Sequence, residues 1–383
     1  MARILWHSTA PWAPSGYGQQ TAIWIQKLTE MGHEVLVSSY WGLSGAPTQW
    51  NGITILPGFG ANYCSGSLSQ HCKAVAPDLV ITLGDVWVLD PNLLRPLNVA
   101  HWLPSDCRPM SMADREKVEI SGAQLIAMSK FGHERFRQAG FPSHYVPHGI
   151  PFDVWKPAED RAALRAKRGI DPSKFIVGVN AANNDAIRKA APEMLLAFAK
   201  FRASHPDAIL ALHTGVHCDG GQDLEAVAEN LGITDAVMVV DQYRYTAGLI
   251  GEADLCDWYN AIDVLLAATY AEGFGLPIVE SMACGTPVIT TKCSSMEELN
   301  PDGLQVDGEP FWNGVHRGWW IRPSVAGTVR ALEETYDRRQ DVDRVKLRES
   351  VREYEVGNVA EKYMRPTLDS LLELFAARRP VAA

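Results

Sequence analysis

The feature that most constrains this chain is an alternation of short apolar runs with longer amphipathic stretches. Ile4–Trp6, Glu34–Ser38, Leu79–Leu83, Val99–Trp102 and Gln124–Met128 read as strands. Helices are expected over Gln19–Met31, closed by Gly32, and over Lys130–Ala139, ended by Gly140. Such an alternation belongs to parallel sheets covered on both faces, so the class is α/β. Residues 147–174 are rich in Pro, Gly and charge, as a connection between domains should be, and the pattern then restarts. Strands at Phe175–Val179, Ala208–His213, Val237–Val240, Val264–Ala267 and Val288–Thr291 alternate with helices at Pro192–Ser204, Leu224–Leu231, Leu255–Asn260 and Pro277–Cys284. The expected architecture is two doubly wound parallel-sheet (Rossmann-like) domains, 1–155 and 156–357, facing a cleft. A last helical region, about 358–383, packs back onto the first. Ligands of such domains lie beyond the carboxyl ends of the strands.

Composition bounds the function. The chain has 383 residues, 46% hydrophobic and 21% charged, which excludes a disordered or fibrous protein. Its net charge of −10 arises wholly after residue 150, because ten Lys+Arg balance ten Asp+Glu before it. No broad basic field invites nucleic acid or an anionic membrane. Seven scattered cysteines without a CxxC pair fit reduced thiols in a cytoplasm. No apolar run approaches the ~18 residues of a membrane span.

The chemistry concentrates in Glu272-Gly-Phe-Gly-Leu-Pro-Ile-Val-Glu280-Ser-Met-Ala-Cys-Gly-Thr-Pro-Val. A buried strand enters a loop with Gly273 and Gly275, where backbone can approach a ligand closely. Pro277 suits a first helical turn, and Gly285 closes the helix. Free amides at that helix start favour an anion, a phosphate above all. A carboxylate beside a phosphate would repel it, so Glu272 and Glu280 should face hydroxyl groups. A sugar and a ribose flanking a diphosphate supply them.

This string resembles the Glu-x7-Glu signature of retaining, nucleotide-sugar-dependent glycosyltransferases of the GT-B fold, family 4 (glycosyl transferases group 1). The resemblance implies that Glu272 meets the donor sugar and Glu280 the ribose. It also implies that amides of Gly273, Phe274, Gly275 and Leu276, with Ile278, hold sugar and diphosphate. Gly16 and Gly18 in Pro14-Ser-Gly-Tyr-Gly stand where the family has a glycine-rich loop near the diphosphate. Pro147-His-Gly-Ile-Pro-Phe-Asp-Val-Trp-Lys-Pro157 is similar to its linker. His101 corresponds to a histidine placed at a strand end against the donor sugar. Lys189 matches a lysine that neutralises the departing diphosphate. The arginine usual earlier in that strand is absent, with Asn180 near its place, and Arg188 can substitute. Tyr243 and Arg244 are candidates near the base.

Other signals are declined. Gly16-Tyr-Gly18 lacks the tight turn and acidic residue of a dinucleotide fingerprint, since an eight-residue loop precedes it. Asp341-Val-Asp343 lies in a charged helical face, and His213 and His217 span a strand end and a loop, so neither makes a metal site. Trp312, Trp319 and Trp320 bunch in an apparent insertion. They suit a plug at an inter-domain seam, or stacking on a sugar or base.

The implied reaction moves a hexose from a nucleoside-diphosphate sugar to an acceptor hydroxyl with retention. UDP-glucose is the first expectation and GDP-mannose the second. Once Glu280 is given to the ribose, no nucleophile is left for the double displacement of retaining glycosidases. A front-face path is expected instead, without metal or cofactor, the domains closing to exclude water. Trp12, Tyr17 and Trp102 are candidate acceptor contacts. A glycan, a protein hydroxyl, a small polyol and a hydroxymethylated DNA base all remain open as acceptors. The rival classes are a GT-B epimerase or phosphorylase and a non-catalytic nucleotide-sugar binding protein.

Overall fold

The computed structural model describes residues 1–378. The chain forms two compact units, one of residues 1–149, 313–318 and the segment from Val356 onward, the other of residues 150–312 and 319–355.

The first unit opens with β1 (Arg3–Thr9), α1 (Gly16–Glu30), β2 (Glu34–Trp41), β3 (Thr48–Trp50), β4 (Ile53–Pro57) and α2 (Ala61–Val75). It continues with β5 (Leu79–Leu83), α3 (Pro91–Leu94), β6 (Val99–Leu103), α4 (Met112–Ser121), β7 (Gln124–Ala127), α5 (Lys130–Gln138) and β8 (Ser143–Tyr145). The strands form one sheet in the order β3-β4-β2-β1-β5-β6-β7-β8, parallel except for β3. From β1 the chain proceeds to β2 on one side and later to β5 on the other, so the strand order reverses at β1. The interior is aromatic: Trp6, Trp24 and Trp102 are fully buried and meet edge to face.

Because β1 runs on to Thr9, Gly16 and Gly18 belong to the first turn of α1 rather than to a long loop. Ser15 caps that helix by accepting from the Gly18 amide. A Cβ at Gly18 would stand 2.1 Å from the Ala13 carbonyl oxygen, so close packing of the β1–α1 turn requires glycine there.

The second unit holds α6 (Arg161–Lys167), β9 (Phe175–Asn180), α7 (Ala191–Arg202), β10 (Ala208–His213), α8 (Leu224–Asn230), β11 (Val237–Val239), α9 (Gln242–Thr246) and α10 (Glu252–Ala261). There follow β12 (Val264–Ala267), α11 (Leu276–Ala283), β13 (Val288–Thr291), α12 (Met296–Leu299), β14 (Leu304–Val306), β15 (Gly308–Asn313), β16 (Gly318–Pro323), α13 (Val325–Asp337) and α14 (Arg344–Ser350). Its parallel sheet runs β11-β10-β9-β12-β13-β14, and β15 and β16 pair separately. Met194, Leu195, Phe198 and Phe201 make a helical stripe on α7 that enters a core with Phe175, Leu210 and Leu332. The stretch read as an inter-domain connection is itself built in: Arg161 and Arg165 of α6 both pair with Asp263.

The chain continues in the first unit through α15 (Val356–Val359) and α16 (Arg365–Arg378). The described part of the expected C-terminal helix ends at 378, and 379–383 lie outside the described residues. Among the described residues no helix is long and apolar enough to cross a membrane.

Candidate active site

In the second unit β12 leads into the loop that carries Glu272, and α11 begins at its end. Gly275 holds φ at 111°, a conformation that strains any side-chain-bearing residue, and so turns the chain into the helix. Pro277 sits in the first turn of α11, as its sequence position suggests. The amides at this helix start border a recess lined by Asn180, Thr269, Glu272, Gly275, Pro277 and Ile278 among others.

The loop is clamped from behind. Ser294 Oγ accepts the Glu272 amide at 3.0 Å, and Ser295 Oγ donates to the Glu272 carbonyl at 2.9 Å and the Phe274 carbonyl at 2.5 Å. Phe274 is buried against Tyr354. The Tyr270 amide donates to the Arg188 carbonyl at 2.9 Å, while the Ile321 amide donates to the Tyr270 carbonyl at 3.2 Å. Arg322 donates to the Tyr270 hydroxyl at 3.0 Å. The tryptophan-bearing hairpin β15–β16 therefore buttresses the strand end before Glu272. Within it Trp320 is buried, and the exposed Trp312 and Trp319 meet each other at 5.2 Å.

Glu272 is engaged by both candidate cations. Lys189 Nζ lies 2.7 Å from Oε1 and 3.0 Å from Oε2, and Arg188 Nη1 lies 3.2 Å from Oε2. Burial pushes the Glu272 carboxyl up, but Lys189 and then Arg188 outweigh it and hold the group below the ordinary carboxylate range. These cations are thus not a solvated pair at a helix start. They precede α7 and leave the three-residue cluster with a net positive charge.

Glu280 lies four residues beyond Leu276 on α11, 3% exposed, and accepts from the Tyr259 hydroxyl at 2.9 Å. Tyr259 in turn accepts from the Asn180 side-chain amide at 2.7 Å, and Asn180 Oδ1 meets His213 Nδ1 at 3.2 Å. Burial, then the neighbouring Glu280, pushes the Tyr259 phenol well above its ordinary range, so it remains a donor. Asn180, where the resemblance leads one to look for an arginine, thus begins a partly buried chain ending on the buried Glu280.

The remaining candidates divide. His101 is the third residue of β6 rather than its end, 1% exposed, with Nδ1 2.7 Å from Thr82 Oγ1. Burial and then His7 lower its pKa to about 3, so the imidazole is neutral at physiological pH. Tyr243 is 76% exposed on α9, and Arg244 pairs with Asp254 at 3.1 Å. Trp12 is exposed, its indole donating to the Gly42 carbonyl at 2.7 Å. Tyr17 stands 3.5 Å from Asp85. Trp102 does not fit an acceptor contact: it is fully buried and its indole donates to the Val146 carbonyl at 2.9 Å. The Asp341–Asp343 string is not helical; it joins α13 to α14, with Asp343 capping the latter. Asp223 and Glu225 engage His217. Among the described residues no group of three or more His, Cys, Asp or Glu is placed to hold a metal ion.

Sequence reasoning missed the bond from Tyr259 to Glu280 and the Ser294–Ser295 clamp. Two serines ahead of Met296-Glu-Glu read locally as a helix start, and nothing local links them to a loop more than twenty residues earlier.

Residues 177–336 match the family model described as Glycosyl transferases group 1. A D-inositol 3-phosphate glycosyltransferase of Mycobacterium sp. (strain KMS) is 31% identical over 204 residues, 52% of this chain and 42% of that protein. The lipopolysaccharide core biosynthesis mannosyltransferase LpsB of Rhizobium meliloti is 26% identical over 168 residues, 44% of this chain and 45% of the relative. The chain thus spans less than half the length of these curated relatives. Among solved structures, sucrose-phosphate synthase from Thermosynechococcus elongatus superposes with a TM-score of 0.76 at 17% identity, covering 98% of this chain and 100% of that one. HepE from Anabaena, in complex with UDP-glucose, gives 0.67 at 17% identity over 97% of this chain and 100% of that one.

Proposed function

We propose that this chain, a GT-B protein whose 177–336 segment belongs to the group 1 glycosyltransferases, transfers a hexose from a nucleoside-diphosphate sugar to an acceptor hydroxyl. The observation that carries the reading is the Glu272–Lys189–Arg188 cluster beside the amino end of α11. UDP-glucose is the first donor to test, consistent with the complex formed by HepE, and GDP-mannose the second.

Each residue then has a task. The diphosphate takes the free amides at the start of α11, where the helix dipole favours anions. Lys189 and Arg188, paired with Glu272 on the wall of that recess, carry the charge that grows on the leaving oxygen. Glu272, kept ionised by these cations, accepts hydrogen bonds from hydroxyls of the donor sugar. Glu280, supported by Tyr259, accepts from the ribose.

Transfer is retaining. No second carboxylate is assigned to the anomeric carbon as a nucleophile, so the departing diphosphate takes the acceptor's proton on the face it leaves. The cations do the work a metal would do, and the reaction runs in chelator. Seven free cysteines suit a reducing cytoplasm.

The test is nucleotide release from UDP-glucose and GDP-mannose, with and without candidate acceptors, in EDTA. Turnover of one donor supports the reading. Tight donor binding without any turnover would favour a nucleotide-sugar binding protein instead.

A further inference from the structure

Two cysteines face each other in the second unit, one helical turn from Glu280. Cys256 of α10 and Cys284, which caps the end of α11, bring their sulfurs to 3.7 Å, within hydrogen-bonding range for a thiol pair. Cys284 is fully buried and Cys256 is 8% exposed, so an oxidant from solvent meets Cys256 first. Nothing in the sequence marks the pairing, since the two stand 28 positions apart.

The two helices meet at neighbouring levels. On α10, Cys256 and Tyr259 are three residues apart and share a face, and Glu280 and Cys284, four apart, do the same on α11. At one level the Tyr259 hydroxyl donates to Glu280 at 2.9 Å, and at the next the sulfurs meet. The Cys284 amide donates to the Glu280 carbonyl at 3.0 Å, and the Thr286 hydroxyl donates to the Tyr259 carbonyl at 2.8 Å. A displacement of either sulfur is thereby carried to the Tyr259–Glu280 bond, because a close-packed interior has little slack to absorb it.

The surroundings separate this pair from cysteines that only fill space. The side-chain amide of the buried Asn260 donates to Cys256 Sγ at 3.6 Å, and the same sulfur lies 3.6 Å from the Lys156 carbonyl. Hydrogen bonding from Cys284 outweighs burial and holds the Cys256 thiol below its ordinary value. The same contact, and then burial, pushes Cys284 up. One sulfur is thus disposed to ionise and attack while its neighbour keeps a proton to give, the two roles that a dithiol oxidation needs.

We propose that Cys256 and Cys284 are a reversible redox switch: a peroxide joins them as a disulfide, which draws Glu280 away from Tyr259 and weakens nucleotide binding. The inference rests on the transfer reading above and adds regulation to the same site. The Cys256 thiolate attacks one peroxide oxygen, the O–O bond breaks, and the departing hydroxide takes a proton and leaves as water. Cys256 is left as a sulfenic acid. The Cys284 sulfur then attacks that sulfur, the S–S bond forms, the S–O bond breaks, and the hydroxyl leaves with the Cys284 proton as a second water. Two thiols are oxidised and one peroxide is reduced. A covalent bond holds two sulfurs far closer than 3.7 Å, so α10 and α11 must shift against each other. A dithiol reductant restores both thiols by exchange, as suits a transient disulfide of the sensing kind.

The test is peptide mapping of the full chain after treatment with hydrogen peroxide, with calorimetry of UDP and GDP before and after. A Cys256–Cys284 disulfide that dithiothreitol reverses is expected. The nucleotide that binds the reduced chain should bind the oxidised one about ten-fold more weakly and recover on reduction. Cys256→Ser and, separately, Cys284→Ala should bind it like the reduced wild type and ignore peroxide, whereas Cys218→Ser, at an exposed position, should respond as the wild type does. Both sulfurs still open to alkylation after peroxide, or Cys256 carried on to a sulfinic acid without a disulfide, overturns the proposal. So does a disulfide that leaves affinity unchanged, or a loss of affinity that persists in Cys256→Ser. Failure of the reduced chain to bind either nucleotide overturns the transfer reading instead, while the mapped disulfide still supports the redox pair and its absence still refutes it.

Discussion

At the residue scale the account depends on a carboxylate kept ionised in a place where burial opposes its charge. Glu272→Gln removes that charge from beside Lys189 and Arg188, 16% and 26% exposed at their side chains. A loss in kcat of about 10²–10³ is expected, the size seen when one preorganised electrostatic partner is deleted. Lys189→Ala should cost a similar factor, and near-normal turnover of either purified variant contradicts the assignment. Glu280→Gln keeps an acceptor for the Tyr259 hydroxyl, so the fold should persist while nucleotide affinity falls, as measured by calorimetry. An unchanged dissociation constant would remove Glu280 from the ribose. The resemblance also gives His101 a part in transfer, and His101→Ala should lower kcat about a hundredfold without changing nucleotide affinity.

At the element scale the structure turns on how helices leave strands. Gly18→Ala would place a Cβ 2.1 Å from the Ala13 carbonyl and 3.2 Å from that of Ala10, both backbone atoms that cannot swing aside. A loss of about 1–3 kcal/mol in denaturant unfolding is expected, and an unperturbed midpoint would refute the packing argument. Elements with strong periodicity were legible from sequence: β5, β10, β12 and β13 fall on the expected residues. The loss of legibility at α2 has a physical cause. Its buried stripe is Cys64, Leu68 and Cys72 amid serines and glycine, so the apolar period is written with weak letters. The hairpin β15–β16 was seen only as a bunch of tryptophans, because its bond to Tyr270 is set by tertiary packing. The loop that carries Glu272 was legible because its glycines, proline and carboxylates are fixed in a short string. The Asn180–Tyr259–Glu280 chain, spread over a hundred residues, was not.

At the scale of the whole molecule, buried neutral histidines set an acid limit. In the first unit burial lowers His7 to about 4 and His101 and His148 to about 3. Their unfolded pKa is near 6.5, so between these values the unfolded chain binds protons that the folded chain refuses. The stability they allow is complete above about pH 6.5 and falls as pH drops toward 4. Each contributes a loss of about 1.4 kcal/mol per pH unit, so the three together cost about 4 kcal/mol at pH 5.5. His213, lowered to about 4, adds one such group in the second unit. Denaturant unfolding at pH 7.5 and pH 5.5 measures this directly, and equal stabilities would contradict it.

The central claim is that the second unit receives a nucleoside diphosphate at the amino end of α11. Crystals of the full chain grown with UDP, and separately with GDP, test it most directly. The account predicts a diphosphate on the amides that follow Gly275, within hydrogen-bond reach of Lys189, with the ribose on Glu280. A nucleotide bound elsewhere on the chain, or in the same recess with its phosphates turned away from α11, contradicts it.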